Sequence, residues 1–178
     1  DEVDRYPISA GTEGDPVNLG IKRTSTFSNR RIGMFSTPTL KHVSRIERAF
    51  LGSDQRRYFV PCPSCNHYQH LIWSNVRWEK SENGGIANRD AWYECESCQT
   101  KIPHTQKRWM LDHGEWRPTA SFSGIAGFHI NELYSPWRRW IDVAEDFLRA
   151  KSSPSTLRVW INTSLGESWE EQGDVVEA

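Results

Sequence analysis

The motif Cys62-Pro63-Ser64-Cys65 has a counterpart farther along the chain, Cys95-Glu96-Ser97-Cys98, and these two motifs organise the fold. The chain has four cysteines, and two residues separate the members of each pair. A gap of this length lets one tight turn aim two sulfurs at one ion while backbone N–H groups support the thiolates. The two pairs together predict a tetrahedral zinc site. Its closed four-thiolate shell leaves no position for water, so the zinc is predicted to be structural.

Two other interpretations of the cysteines are weaker. Disulfides belong to oxidising compartments, and nothing in the sequence indicates secretion. A redox Cys-x-x-Cys motif requires a βαβ context and does not explain a second pair. Because four thiolates already complete the shell, the nearby histidines are interpreted as surface or packing residues; these are His67, His70, His104 and His113.

The segments before the two cysteine pairs, residues 57–60 and 91–94, can both be extended, which is the strand-then-knuckle layout of a zinc ribbon. Small ribbons lack the volume for a large core, so big aromatic rings are expected to supply much of the buried area. The polar stretch 80–90 is predicted to be a hairpin tip or a flexible loop. The large rings of this region include Tyr68, Trp73, Trp78, Trp92, Tyr93, Trp109 and Trp116.

On the amino-terminal side, residues 31–35 predict a short buried strand that ends at Ser36-Thr37-Pro38-Thr39. In α/β proteins, catalytic and ligand-binding residues commonly follow the carboxyl end of such a strand. A short helix is expected near residues 17–21, and a second over 44–51, where Ser44 and Glu47 fit a capping box.

On the carboxyl-terminal side, residues 128–133 alternate weakly and predict a strand. Ser135-Pro136 predicts a helix start, and the apolar residues that follow, from Trp137 to Leu148, keep a helical period. Ser153-Pro154 predicts another helix start in the same way, with Gly166 ending that helix. Residues 169–178 form an acidic exit segment.

Composition restricts the class of protein. The 178 residues include 22 basic and 23 acidic side chains, and the formal net charge of -1 provides no global field for nucleic acid. No run approaches the roughly 18 apolar residues that cross a bilayer, and the amino-terminal residues do not resemble a signal peptide. A soluble, non-secreted protein without a membrane partner is expected. Because no initiator Met is present, the chain is expected to be a piece of a longer protein.

Seven blocks of sequence resemble successive blocks of the lambda-type (GpA) family of phage terminase large subunits. Their order and spacing match the family over nearly the whole chain. The blocks are Asp1-Glu2-Val3-Asp4-Arg5-Tyr6-Pro7, Glu13-Gly14-Asp15-Pro16, Ser36-Thr37-Pro38-Thr39, Ser53-Asp54-Gln55-Arg56-Arg57, Pro61-Cys62-Pro63-Ser64-Cys65, Leu133-Tyr134-Ser135-Pro136-Trp137 and Asn162-Thr163-Ser164-Leu165-Gly166-Glu167.

The resemblance implies an α/β fold: an incomplete half of a P-loop ATPase, a small β zinc-ribbon module and carboxyl-terminal helices. Residues 1–55 would be the carboxyl-terminal part of the ATPase domain, and residues 56–120 the inserted zinc ribbon. Residues 121–166 would return a strand and helices to the ATPase domain. Residues 167–178 would be a linker towards a nuclease domain that is absent here.

The resemblance also implies site residues. Asp1 and Glu2 match the end of the Walker B strand, where the Asp holds the Mg²⁺ of ATP and the Glu is catalytic because it polarises the attacking water. Ser36 and Thr37 match the coupling motif that senses the γ-phosphate. Without the resemblance, an ordinary strand-ending turn explains Ser36 and Thr37 equally well. The Walker A loop is absent from this sequence, so the fragment alone is expected to be inactive.

The implied function is an ATP-driven motor that packages viral DNA, with an endonuclease that cuts concatemeric DNA in the parent protein. The implied partners are double-stranded viral DNA, the small terminase subunit, the portal protein and further copies of the same chain. The implied location is the bacterial host cytoplasm, with transient residence at the procapsid portal. The arginine that neutralises transition-state charge stays open among Arg23, Arg30, Arg31 and Arg45.

Two alternatives stay open at this point. The chain can be a zinc-ribbon module that binds nucleic acid or protein without catalysis of its own, or the zinc module can serve only to support the fold. The binding alternative requires a basic and aromatic surface that holds phosphates. Its candidate residues are Arg56, Arg57, Arg77, Lys101, Lys107, Arg108 and Trp109.

Overall fold

The computed structural model describes residues 1–171, in which seven short strands alternate with five α-helices. The mixed content of helix and sheet confirms the α/β expectation at this level. In chain order the elements are α1 (Pro16–Arg23), α2 (Arg45–Leu51), β1 (Arg56–Pro61), β2 (Tyr68–His70), β3 (Val76–Lys80), β4 (Ile86–Glu94), β5 (Lys101–Ile102), α3 (Lys107–Asp112), β6 (Glu115–Arg117), β7 (Phe128–His129), α4 (Trp140–Ala150) and α5 (Pro154–Trp160). No helix in residues 1–171 has the length and apolar character that crossing a membrane requires.

The strands form two small sheets. In the first, β1 pairs antiparallel with β2 and β6 and parallel with β7. In the second, the order is β3-β4-β5, all antiparallel. One cysteine pair lies between β1 and β2, and the other lies between β4 and β5, so the strands predicted before each pair are confirmed. The polar stretch between β3 and β4 joins them as a hairpin, also as predicted.

The cysteine hairpins and the carboxyl-terminal helices share one core. Trp73, which precedes β3, packs its ring 5.0 Å from Phe147 of α4 and 4.8 Å from Trp160 of α5, centroid to centroid. Tyr93 of β4 lies 5.7 Å from Trp140 of α4 by the same measure. Tyr93 and Trp140 are fully buried. Large rings therefore supply buried area here, as expected for a region with little aliphatic volume.

A buried carboxylate holds the chain where it returns from the hairpins to the first sheet. Asp54 is 1% exposed, and its Oδ1 accepts a 3.0 Å hydrogen bond from Gly127 N. Burial by itself would raise the pKa of Asp54, but hydrogen bonds from Arg56 and Gly127 outweigh it, and the net pKa lies below the usual value. Arg56 N donates to Gly127 O at 2.8 Å, which leads directly into the pairing of β7 with β1.

The two predicted carboxyl-terminal helices have different outcomes. For α5 the prediction is confirmed: Pro154 occupies the first turn, and Gly166, with φ of 64°, follows the π-helical turn Ile161–Leu165. The predicted start of α4 at Ser135-Pro136 is wrong. Residues Glu132–Tyr134 form a 3-10 turn instead, and the helix begins at Trp140 because the Asp142 carboxylate accepts a hydrogen bond from Arg139 N. Trp137 consequently lies outside the helix and is 89% exposed.

In the amino-terminal region both predicted helices form, but the strand does not. Ser44 caps α2 by accepting a hydrogen bond from Glu47 N, whereas the Glu47 carboxylate accepts from His42 N rather than from Ser44. The strand predicted at residues 31–35 is wrong: this segment has no regular structure, and Phe35 is 67% exposed. A strand is stabilised by a ladder of partners. Here Val3 N donates to Phe35 O, and no ladder extends from that bond within the described residues 1–39.

Candidate functional site

The four cysteine sulfurs form one cluster, in which all of them lie within 4.8 Å of one another. Sγ of Cys62 lies 3.8 Å from Sγ of Cys98, and Sγ of Cys65 lies 3.8 Å from Sγ of Cys95. A tetrahedral ion with metal–sulfur bonds of about 2.3 Å places its ligands about 3.8 Å apart. A disulfide would require about 2.05 Å. The arrangement fits four free thiols that can hold one metal ion.

The two cysteine turns have the same backbone geometry. In the first, residues 62–67, Cys62 N donates to His67 O and Asn66 N donates to Cys62 O, both at 2.9 Å. In the second, residues 95–100, Cys95 N donates to Thr100 O at 3.2 Å and Gln99 N to Cys95 O at 3.0 Å. The residue after the second cysteine is left-handed in each turn, with φ of 60° at Asn66 and 57° at Gln99. Two matching turns meet at one point, as the spacing predicts.

Each turn contributes one buried and one exposed thiol, and the local chemistry of these thiols differs. Burial raises the pKa of Cys62 to about 12. The Thr100 hydroxyl, 3.2 Å from the sulfur of Cys98, lowers the pKa of that thiol to about 6. A cation at the centre would favour the thiolate of Cys62 at neutral pH, so metal binding would release protons.

Two polar contacts between the turns escaped the sequence analysis. Gln69 of β2 is fully buried, and its Oε1 accepts a 2.9 Å hydrogen bond from Glu96 N in the second turn. His67 Nε2 lies 2.8 Å from Glu96 Oε1 on the outside of the same junction. His67 therefore pairs with a carboxylate and not with the sulfur cluster. A single buried Gln in a short strand gives no periodic signal by which sequence could have identified it.

The amino-terminal residues lie against the predicted coupling motif, and Asp4 makes most of the contacts. Asp4 N donates to Ser36 Oγ at 3.2 Å, and Asp4 Oδ2 accepts from both the backbone N and the hydroxyl of Thr39 at 3.1 Å each. Asp4 Oδ1 accepts a 2.8 Å bond from Ile46 N at the start of α2. Sequence analysis missed this role of Asp4.

The two predicted nucleotide residues lie just before these contacts. Asp1 accepts a 3.0 Å hydrogen bond from Glu2 N, and Glu2 has a left-handed backbone with φ of 52°. The Glu2 side chain is 53% exposed. Both carboxylates stand at the edge of the molecule, and the contacts to the Ser36–Thr39 turn run through Asp4.

A cleft of about 470 Å³ lies between the Ser36-Thr37 turn and the carboxyl-terminal segment. Its inner wall holds Arg57, whose Nη1 contacts His129 Nδ1, while His129 Nε2 donates to Gly166 O at 3.0 Å. Burial and the nearby Arg57 charge lower the pKa of His129 to about 4, so this histidine is neutral at physiological pH. Burial also raises the pKa of Glu167 above its usual value. Ser36 and Thr37 therefore share a cleft with a neutral histidine and with the side chains of Arg57 and Glu167.

The basic surface required by the binding alternative is largely neutralised. Arg77 pairs with Glu94 at 3.2 Å and Lys101 with Asp90 at 3.2 Å. Lys107 is 2% exposed and donates to a backbone carbonyl, and burial lowers its pKa to about 8. The remaining basic candidates are engaged as well: Arg56 with Asp54, Arg57 with His129, and Arg108 with Asp112. This region presents paired charges rather than a free basic face.

One of the four arginine candidates is committed to the fold. Arg45 donates to the backbone oxygens of Val3, Tyr6 and Pro7 at 3.2, 3.0 and 2.8 Å and lies 3.4 Å from the Asp15 carboxylate. These contacts use its guanidinium to hold the amino-terminal loop. Arg23, Arg30 and Arg31 are exposed.

Comparison with known proteins agrees with the sequence blocks. The family model described as the ATPase domain of the phage terminase large subunit gpA matches residues 1–116, and the one for the endonuclease domain of the same protein matches residues 125–178. The second match includes α4 and α5, which the sequence analysis assigned to the ATPase domain. The division into domains stays a prediction, and residues 172–178 of the predicted linker lie outside the described part of the structure.

Two curated relatives are similar to the chain along nearly all of its length. The large terminase subunit of Enterobacteria phage P21 is 30% identical over 190 residues, and that of Escherichia phage lambda is 26% identical over 189 residues. Each alignment covers 96% of this chain and 30% of the relative, so the chain spans about a third of their length. No solved structure matches the chain. Because the ATPase-domain model alone matches more than half of its residues, the chain belongs to the family of phage terminase large subunits.

Proposed function

We propose that the chain is part of an ATP-driven motor that packages double-stranded viral DNA. The observation that carries this proposal is the match of the gpA ATPase-domain model over residues 1–116, a segment that contains both the Asp1-Glu2 pair and the Ser36-Thr37 turn. The contacts of Asp4 with Ser36 and Thr39 support it, because a motor must link its hydrolytic residues to a part that moves.

In this proposal each site residue has one role. Asp1 would hold the Mg²⁺ of the bound ATP, and Glu2 would polarise the attacking water. Ser36 and Thr37 sense the γ-phosphate through their hydroxyls. The exposed position of both carboxylates suits a nucleotide bound at the edge of the described residues.

Zinc is the proposed metal of the cysteine cluster, which then forms a zinc ribbon. The support is the ligand set, four thiolates at tetrahedral spacing, since soft sulfur ligands in this geometry favour zinc. The metal would be structural: Cys62, Cys65, Cys95 and Cys98 would occupy all four positions and leave none for substrate or water.

The proposed setting is that of the family. The whole protein would also carry an endonuclease that cuts concatemeric DNA, and it would work as a homo-oligomer with the small terminase subunit and the portal protein in the host cytoplasm. A zinc-ribbon module that only binds nucleic acid is less well supported, because acidic or backbone groups engage its basic candidates, such as Arg77, Lys101 and Lys107.

The proposal is tested on the full-length protein by measuring DNA-stimulated ATP hydrolysis. Glu2→Gln keeps the size of the side chain but weakens its polarisation of water, so we expect the rate to fall by about 10²-fold or more. Glu13→Gln, another exposed glutamate of the same region, is the control and should keep the wild-type rate. A Glu2→Gln protein that folds and hydrolyses ATP at the wild-type rate would remove the catalytic assignment.

A further inference from the structure

We name residues 36–39, which include the proposed coupling motif, the coupling turn; its last residue is hydrogen-bonded to the segment that follows the last helix. We name residues 166–171 the connector. Trp169 N donates to Thr39 O at 2.9 Å, and Lys41 N donates to Trp169 O at 2.9 Å, so Leu40 and Trp169 form a parallel bridge. Lys41 Nζ also pairs with Glu170 at 2.7 Å. A short stretch after the turn thus holds the connector by backbone and side chain.

The side chain of Asn162 donates hydrogen bonds to both the coupling turn and the connector. It is 8% exposed, and its Nδ2 donates to Thr39 O at 2.9 Å and to Glu167 O at 2.7 Å. Both protons of one amide group are therefore used, one on each segment. Asn162 lies in the π-helical turn Ile161–Leu165, and such widened turns are frequent at functional sites.

Thr39 stands between the amino-terminal residues and the connector. Its backbone N and its hydroxyl bind Asp4, while its carbonyl oxygen accepts from Asn162 and Trp169. The Asp4 carboxylate holds the backbone N and the hydroxyl of Thr39, and Pro38 fixes its own φ just before this residue. Movement of the turn must therefore carry the connector with it or break these hydrogen bonds.

We propose that Asn162 is a positioning residue that makes the connector follow the state of the coupling turn. This inference rests on the proposed function, since it takes Ser36 and Thr37 to respond to bound nucleotide. The part that would receive the signal is the segment matched by the endonuclease-domain model, which includes the connector. Contact alone does not establish coupling, so the test must measure whether nucleotide at one end changes the other.

The experiment uses the full-length protein and hydrogen exchange with and without a non-hydrolysable ATP analogue. In the wild type, the analogue should change exchange at residues 36–41 and at residues 166–171, with about a fivefold or larger change in rate. Asn162→Asp replaces a double donor by an oxygen that faces two carbonyl oxygens. In this variant the analogue should still change exchange at residues 36–41, and the response of the connector should be lost.

Asn131→Asp is the matched control. Its Nδ2 also donates to a backbone carbonyl, that of Leu71, at 2.8 Å, and it lines a small cavity together with Glu167 of the connector, but no hydrogen bond joins its side chain to Thr39 or to residues 166–171. It should keep the response of the connector. Asn162→Ser, which removes both donors without adding charge, repeats the test if the Asp variant does not fold.

The outcomes separate this inference from the proposed function. A connector that responds to nucleotide equally in the wild type and in the Asn162 variants would overturn the role of Asn162, as would loss of the response in Asn131→Asp. ATP hydrolysis by the full-length wild type is measured in parallel. If the wild type does not hydrolyse ATP, the proposed function is overturned and this inference with it. If the wild type hydrolyses ATP but the analogue does not change hydrogen exchange in the connector, this inference alone is overturned.

Discussion

The cysteine hairpins and the amino-terminal region are held together in different ways. Between residues 56 and 112 the chain buries Val60, Tyr93, Ile102 and Met110 and gathers four thiols at one point. In residues 1–43, only Val3 and Pro38 are buried, and hydrogen bonds from single polar side chains replace the core. Apolar burial and metal ligation are strong and local, whereas isolated polar contacts are weaker individually.

This difference predicts where the molecule tolerates change. Loss of a ligand or a core ring should unfold the hairpins together with α4 and α5, because they share the rings of Trp73, Phe147 and Trp160. Loss of a polar contact in the amino-terminal region should release that region and leave the hairpins folded. Substitutions in the two regions therefore test whether each region unfolds independently of the other.

The largest effect is expected from removing one of the four proposed zinc ligands. Cys62→Ser takes away one thiolate of a site whose binding free energy, for structural zinc, is about 10–16 kcal/mol, comparable with the whole stability of a domain. We expect loss of bound zinc and fast amide exchange across residues 56–102. Zinc content by metal analysis and hydrogen exchange would measure both.

The matched control for the ligand is Ser64→Ala, which lies between the two cysteines of the first turn and keeps the backbone N–H that points to Cys62 Sγ. It should retain zinc. Exchange in α1 should be similar in the wild type and in both variants, because this helix lies in the amino-terminal region. Retention of one zinc per chain by Cys62→Ser would contradict the ligand assignment.

The next effect separates two tryptophans that lie three residues apart. Trp140 is fully buried, and its Nε1 donates to Leu133 O, whereas Trp137 is 89% exposed. Trp140→Ala should lower the free energy of unfolding by about 3–5 kcal/mol, and Trp137→Ala should change it by less than about 0.5 kcal/mol. Urea unfolding followed by far-UV circular dichroism measures both values. Equal losses would mean that Trp137 is covered in solution.

Sequence could predict the parts of the molecule whose determinants are local. The cysteine spacing predicted two hairpins that meet, and Ser153-Pro154 predicted α5, because a few adjacent residues decide each of these features. The prediction of a strand at residues 31–35 was wrong for the opposite reason, because a strand depends on partners elsewhere in the chain. Helix α4 begins after the predicted start at Ser135-Pro136 because the Asp142 carboxylate accepts a hydrogen bond from Arg139 N. The Ser-Pro pair is a typical helix start, so the sequence favoured it over Arg139.

The polar contacts that position the candidate site were beyond sequence reasoning. Asp4 and Thr39 are 35 positions apart, and Asn162 and Thr39 are 123 positions apart. A single polar side chain that reaches across such a separation leaves no periodic or spaced pattern. The resemblance to the terminase family marked Asp4 and Asn162 as members of blocks, but only coordinates reveal that both bind Thr39.

A smaller effect is expected from the main polar contact of the amino-terminal region. Asp4→Ala removes the acceptor for Thr39 and for Ile46 N at the start of α2, which should destabilise this region by about 1–2 kcal/mol. Amide exchange in α2 should accelerate, while exchange in β4 should stay at the wild-type rate. Glu13→Ala, an exposed carboxylate nearby, is the control. Faster exchange in β4 would show that the two regions unfold together.

The smallest effect compares the two cysteine turns with each other. Gln99 and Asn66 occupy the same left-handed position, which costs a residue with a Cβ about 1 kcal/mol but is tolerated better by Asn. Gln99→Gly should relieve this strain and, after the entropy lost on ordering glycine, stabilise the protein by up to about 1 kcal/mol. Asn66→Gly should gain less.

Gln106→Gly is the control for these two glycines, because Gln106 is also exposed but has a right-handed backbone with φ of -82°. At this position glycine relieves no backbone strain and should lower the free energy of unfolding by about 0.5–1 kcal/mol. Thermal unfolding of the three zinc-loaded variants gives the order of stabilities. If Gln99→Gly were as destabilising as Gln106→Gly, the left-handed turn would not persist in solution, and the matching geometry of the two turns would fail with it.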